Sequence, residues 1–360
     1  MQAAAGVSST VRGYSVMNSS SLDRLQPFGD SAADRRRLLK LSLCGLAAVV
    51  PLASAKAQER PATPPRPPAP APAMPVVDTR FPAEMAPGVF ILPDKRIPLV
   101  PNIGIIVGRE TVLVVDCGLG LESAESVLAL ARRLAPGRQV VLTVTHAHPE
   151  HGFGAQVFKR DARIYYNSAQ RDYSARSGLT LLAGFRDGVM QPEYRHLLDG
   201  IVPTLPNQTY DGASATLDLG GRQVEFRSWG TAHSPGDQVV HLPQERIVFA
   251  GDLVEERMFP IVPLFPPMIT ADDMDIARWE VVLADILRLE PSLIVPGHGN
   301  LGGAEIATDV LGYFKDVRTL VQAAGGPGDG LEERIRARYP TWEQSQFVGP
   351  AVQYFSRART

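Results

Sequence analysis

Cysteine is nearly missing from this chain, with only Cys44 and Cys117 in 360 residues. Two thiols allow at most one internal disulfide, which excludes a disulfide-stapled scaffold. A charge surplus is missing too: 36 Lys and Arg stand against 38 Asp and Glu, a formal net charge of -2. That balance argues against a strongly basic nucleic-acid binder, and 44% apolar content argues against a mainly disordered chain. No apolar run is long. The uncharged stretch Leu41 to Ala55 has fifteen residues, short of the about 20 that a membrane-spanning helix needs. Proline is the opposite case: of 31 in the chain, eight fall within the fifteen positions 61–75.

Such a proline run cannot donate ladder hydrogen bonds or continue a helix, so it reads as an extended, semi-rigid spacer. Before it stands Asp34-Arg35-Arg36-Arg37-Leu38-Leu39-Lys40, then the uncharged stretch, then small-residue sites at Ala53-Ser54-Ala55 and Ala55-Lys56-Ala57. This resembles a twin-arginine export signal, with Asp34 where Ser or Thr is usual. The resemblance implies passage through the twin-arginine export machinery to a periplasmic or secreted destination, with no permanent membrane span. Cleavage after Ala57 would remove Cys44 and leave Cys117 as the single thiol. The organisation expected is an export signal over 1–57, a linker over 58–77, a catalytic domain over 78–324 and a partly helical tail over 325–360.

Within the domain, strands and helices interleave. Ile103–Val107 and Thr111–Val115 flank Gly108-Arg109-Glu110 as a hairpin, and Gly104 inside the first run marks a bulge or a close backbone approach. Val127, Leu130 and Leu134 give helical spacing over 122–135, closed by Pro136-Gly137. Strands are expected at 140–145, 162–166, 215–219, 222–228, 239–242, 246–249 and 292–295, with a helix near 152–160. An amphipathic helix is expected over 270–289, with Thr270 and Asp273 as its capping box. The stretch 168–201 is less regular, either a helical insertion over a site or peripheral packing. Layered sheets and helices of this order predict an α/β fold.

Five of the seven histidines fall in three places, each just after a predicted strand. In Thr145-His146-Ala147-His148-Pro149-Glu150-His151, His146 and His148 are two apart on a strand end and point the same way. Pro149 suits the first position of a helix, from whose first turn Glu150 and His151 would project. His233, Asp252 (in Ala250-Gly251-Asp252) and His298 (in Pro296-Gly297-His298-Gly299) each follow a further strand. Neutral imidazoles and carboxylates gathered at one sheet edge are the donors a zinc-like ion wants.

At these residues the chain resembles the metallo-β-lactamase-fold hydrolase superfamily, over roughly 89–307. The His146-x-His148-x-Glu150-His151 motif, His233, Asp252 and His298 occur in the family's order, and the turn at Asp116 is similar to its opening segment. The resemblance implies a four-layer αββα sandwich with two metals at one edge. His146, His148 and His233 would hold the first ion. Glu150, His151 and His298 would hold the second, with Asp252 bridging. Zinc is the expected metal, with iron and manganese as alternatives, and a metal-bound hydroxide would attack a small-molecule substrate. One residue departs: the family motif has Asp where Glu150 stands. The added methylene either is absorbed by a backbone shift or weakens the second site, and Glu150 is expected to remain a ligand that orients the hydroxide.

The function this implies is an exported zinc-dependent hydrolase of an ester, thioester, lactone or amide bond. β-Lactamase activity is the first alternative, although lactam-opening members typically carry Cys or Ser where Asp252 stands. A single-iron sulfur dioxygenase is the second. No nucleic-acid partner is expected. Asp237 suits either a brace for a ligand imidazole or a turn, His241 a packed core position, His196 a helix surface, and Cys117 a small buried residue. Segments 168–201 and 258–268, which carries Phe259, Leu264 and Phe265, are the expected pocket walls and imply a substrate with apolar portions.

Overall fold

The computed structural model describes residues 73–262, 265–328 and 330–357. The export signal, most of the proline spacer and Leu264 lie outside the described residues.

The first sheet has seven strands in chain order: β1 (Ala83–Ala86), β2 (Val89–Leu92), β3 (Ile103–Val107), β4 (Thr111–Val115), β5 (Gln139–Thr143), β6 (Arg163–Asn167) and β7 (Gln208–Tyr210). The second has five, in the order β12 (Leu293–His298), β11 (Ile247–Glu255), β10 (Val239–Leu242), β9 (Gln223–Arg227) and β8 (Ser214–Asp218). β4 to β7 run parallel, as do β11 and β12. Strands covered on both faces read as unbroken apolar runs, and β4 (Thr-Val-Leu-Val-Val) is buried at every position.

Ile91, Ile106, Leu113 and Val141 of one sheet meet Phe226, Val240, Phe249 and Val295 of the other. This contact explains Gly104. A Cβ there would sit 2.4 Å from the Phe249 ring, so the sheets approach across a bare backbone. Helix α1 (Leu121–Leu134) covers the outside of the first sheet through Val127, Leu130 and Ala131. Helices α4 (Ile276–Arg288) and α5 (Ala304–Ala324) cover the second through Trp279, Leu283, Val310 and Phe314. The layers are therefore helix, sheet, sheet, helix. Each large side chain in the outer layer contributes about 1.5–3 kcal/mol on full burial.

Two local expectations change, and one open alternative is decided. The Thr270–Asp273 capping box exists, but it caps a single 3-10 turn (Ala271–Asp273). Met274 and Asp275 are extended, and Asp275 caps α4 by accepting from the Arg278 amide at 2.9 Å. The helix expected near 152–160 is the short α2 (Pro149–Gly152) followed by a 3-10 segment (Phe153–Val157). The irregular stretch is helical: α3 (Ser168–Gly184), a π turn (Phe185–Val189) and a 3-10 segment (Pro192–Leu198). Beyond α5, α6 (Leu331–Arg338) and α7 (Val348–Arg357) send Leu331, Ile335, Val352 and Phe355 into the apolar cluster shared by α4 and α5. Arg318 of α5 lies over the Phe355 ring at 5.2 Å.

Candidate metal centre

The donors come from the C-terminal ends of strands, where the parallel pairing leaves neighbouring chain segments side by side. After β5 the chain presents His146 and His148. His148 is then the extended residue capping α2, Pro149 opens the helix, and Glu150 and His151 occupy its first turn. His233 sits in the loop after β9, and His298 ends β12. Asp252 lies within β11 rather than after it, because the strand continues to Glu255 through a register shift at Gly251. Gly297 makes room for it: a Cβ there would stand 1.8 Å from Asp252 Oδ1.

All seven donors are at most 5% exposed and fall into two groups of four that share Asp252: His146, His148, His233 and Asp252, then Glu150, His151, Asp252 and His298. Within each group the donor atoms lie within 4.8 Å of one another. Asp252 Oδ2 faces the first group, 3.6 Å from His146 Nε2 and 3.7 Å from His233 Nε2. Its Oδ1 faces the second, 3.1 Å from His151 Nε2 and 3.7 Å from His298 Nε2. His233 Nε2 and His148 Nδ1 stand 2.9 Å apart. A tetrahedral ion with bonds of about 2.0–2.1 Å sets its donors about 3.3 Å apart, and these separations bracket that value.

The donors also pass a test of satisfaction. Among the described residues His146 Nε2, His298 Nε2, Glu150 Oε2 and both Asp252 oxygens are buried without a hydrogen-bond partner. Each such atom costs about 1–3 kcal/mol unless something binds it. A divalent cation satisfies them together.

Hydrogen bonds behind the donors fix which ring nitrogen is free. His151 Nδ1 donates to Asp116 Oδ2 at 2.8 Å, and His298 Nδ1 donates to the Val100 carbonyl at 3.0 Å. The Thr145 hydroxyl donates to Asp116 Oδ2 at 2.9 Å and so accepts from His146 Nδ1 at 3.2 Å. Each arrangement engages Nδ1 and turns Nε2 toward the centre, the nitrogen a metal would take. Asn102 ties down the end of β12 by donating to the Pro296 and Gly299 carbonyls at 3.0 and 2.9 Å.

The electrostatics agree. Burial, reinforced by neighbouring histidines, holds His146 and His148 well below the usual imidazole range, and burial puts His233 at about 4, so these rings stay neutral. Burial opposes charge on His151, but the Asp252 and Asp116 carboxylates outweigh it and hold this ring well above that range. Burial would raise Asp252, yet His151, His298 and His146 hold it well below the carboxylate range. The centre thus carries a buried anion that draws positive charge toward it.

The remaining singled-out residues separate cleanly. Asp237 does not touch an imidazole. It braces the loop on both sides of His233, accepting from the Ala232 amide at 3.2 Å, the Ser234 amide at 2.9 Å and the Ser234 hydroxyl at 2.7 Å. His241 is buried but pairs with Glu225 at 3.1 Å. His196 is exposed, and its Nδ1 lies 2.9 Å from the Glu193 carbonyl. Cys117 is buried, and burial pushes its thiol well above the usual range. The sequence pattern marks the turn at Asp116 but gives no sign of the supporting contacts of Thr145, Val100 and Asn102.

The profile of the metallo-beta-lactamase superfamily matches residues 96–298, more than half of the chain. The chain belongs to the metallo-beta-lactamase superfamily. Among superfamily members, an acyl-coenzyme A thioesterase, MBLAC2, of Gallus gallus is 28% identical over 213 residues, covering 57% of this chain and 74% of that protein. A type 2 metallo-beta-lactamase of Bacteroides fragilis is 30% identical over 95 residues, 26% of this chain and 36% of that protein. A beta-lactamase domain protein from Burkholderia ambifaria superposes with a TM-score of 0.56 at 18% identity, covering 76% of this chain and 86% of that one, a likeness of fold. As a member of this superfamily the chain is a hydrolase with a site for divalent metal.

Proposed function

We propose that the chain is an exported zinc-dependent hydrolase that cleaves an ester, thioester, lactone or amide bond of a small molecule with apolar portions. The observation that carries this reading is the division of Asp252 between two donor groups, one carboxylate oxygen to each. His146, His148 and His233 would hold one zinc, and Glu150, His151 and His298 the other. Three imidazoles with one carboxylate favour zinc over the harder ions. Bound there, the two ions would supply an activated water and polarise the scissile carbonyl.

The protein's own contribution is orientation and exclusion. Asp116, Thr145 and the Val100 carbonyl hold the rings, and Asp237 holds the His233 loop. Ala147 and Ala232, which flank ligands, share one apolar cluster with Leu181, Phe185, Phe259 and Val262 of the two expected walls. That cluster keeps bulk water away and offers an apolar lining to a substrate. The thioesterase relative supports a thioester or ester among the candidate bonds. The Arg35-Arg36 signal supports delivery of the folded, metal-loaded protein to the periplasm or beyond, and Arg35→Lys with Arg36→Lys should hold it in the cytoplasm.

Metal analysis of the purified chain, then a panel of acyl thioester, ester, lactone and β-lactam substrates, tests the reading. Two zinc per chain and turnover abolished by chelation and restored by zinc are expected. One iron per chain with oxygen consumption would sink it in favour of a dioxygenase. The short Bacteroides fragilis match favours β-lactam opening as a second reading, and turnover confined to the lactam arm would establish that instead.

A further inference from the structure

β11 ends at Glu255, and Glu256, which follows it, has different surroundings. Glu256 is neutralised: Arg96 pairs with it, and its Oε2 accepts from the Asn300 amide at 3.0 Å. Glu255 is 1% exposed and has neither Lys nor Arg as a partner among the described residues. One oxygen, Oε2, accepts from the Ile261 amide at 2.8 Å, and the other, Oε1, is buried without a partner. An ionised carboxylate that deep is very costly unless a cation answers it.

Its place in the fold indicates which cation. In the parallel pairing of β11 with β12, Glu255 stands opposite His298. With His298 across the strand pair and Asp252 three residues before it on β11, it stands beside the second group. Ile261 belongs to the pocket wall that follows the strand.

We propose that Glu255 is a positioning residue of the second half of the centre: its carboxylate, fixed by Ile261, supplies charge that retains the second divalent ion and links that ion to the expected wall over 258–268. The inference rests on the dinuclear reading above. It also bears on Glu150, because a second nearby carboxylate offsets any loss of affinity caused by the longer side chain.

The test is titration of the full, metal-stripped chain with zinc against a chromophoric chelator, with bound metal counted by mass spectrometry. Glu255→Gln keeps an acceptor for Ile261 and removes the charge. It should weaken the second zinc equivalent by about 10–100-fold and leave the first unchanged. Glu255→Asp keeps the charge and should recover part of that loss, and Glu256→Gln should behave as wild type. Wild-type affinity for the second equivalent in Glu255→Gln overturns the inference, and so does equal loss of both equivalents. A wild type that binds a single zinc overturns the dinuclear reading and this inference together, so the two failures are told apart.

Discussion

The two halves of the metal centre are held by different means. In the second half the far nitrogen of each imidazole meets an oxygen of the protein: Asp116 behind His151 and the Val100 carbonyl behind His298. In the first half only His146 has such a partner, the Thr145 hydroxyl. Among the described residues His148 Nε2 has none, and His233 has only a weak approach to the Ile261 backbone. His233 is held instead by the Trp279 ring, edge-on at 5.0 Å, and by a loop that Asp237 braces. The second half is therefore oriented by hydrogen bonds and the first by packing and backbone. Substitutions that remove one kind of support should injure one half and spare the other.

Asp252→Ala breaks the comparison outright, because this residue belongs to both halves. Both ions should be lost. With several kcal/mol of charge stabilisation gone, kcat/KM should fall by about 1,000-fold or more. Metal counting and turnover on whichever substrate the panel selects would check this. A variant that retains two ions would show that Asp252 is no bridge.

Asp116→Asn sharpens the comparison. It weakens the acceptor that fixes His151 directly, so the second zinc equivalent should bind about 10–100-fold less tightly, while the first, which Asp116 supports only through Thr145 behind His146, should weaken less. Sequential zinc titration reads both values. Trp279→Phe is the matching lesion on the other side. Trp279 is fully buried, and its Nε1 donates to the Leu253 carbonyl at 2.9 Å. Phe removes that donor and leaves a void beside His233. A stability loss of about 1–3 kcal/mol should appear in urea unfolding, with at most about a tenfold weakening of the first equivalent. Equal weakening of both equivalents by either substitution would erase the distinction between the halves.

How much of this was legible beforehand follows the same divide. The candidate donors could be read because each of their histidines sits just past a β-rich run, and a sheet edge gathers such positions whatever the sequence distance between them. The layered fold followed from the alternation of those runs with amphipathic helices. Supports that act across long sequence separations left no local mark. Val100 reaches His298, and Asn102 reaches Gly299, across almost two hundred residues. Glu255 was hidden because the strand was read as ending at Phe249, whereas the register shift at Gly251 carries it six residues further. The first helix after Gly325 carries little apolar signal, since α6 buries only Leu331 and Ile335 among its eight residues.

His241 offers the smallest test, because it is a buried histidine outside the centre. It lies opposite Glu225 in the β9–β10 register, and the two side chains pair at 3.1 Å. Its Nδ1 meets a carboxylate as that of His151 does, but the ring belongs to neither donor group among the described residues. Partial burial would raise the Glu225 carboxyl, but hydrogen bonds from Arg227 and His241 outweigh it and hold it below the ordinary value of 4.5. A carboxyl depressed in the folded state stabilises above its unfolded value, and that contribution disappears as pH falls through the folded one. Glu225→Gln should therefore lower stability at pH 7 by less than about 1 kcal/mol, as for other half-exposed cross-strand pairs. The gap to wild type should narrow as pH falls below about 4.5. Urea midpoints measured at pH 7 and pH 4 would show it. Zinc content should stay at the wild-type value throughout, and a loss of zinc in Glu225→Gln would mean that His241 supports the centre after all.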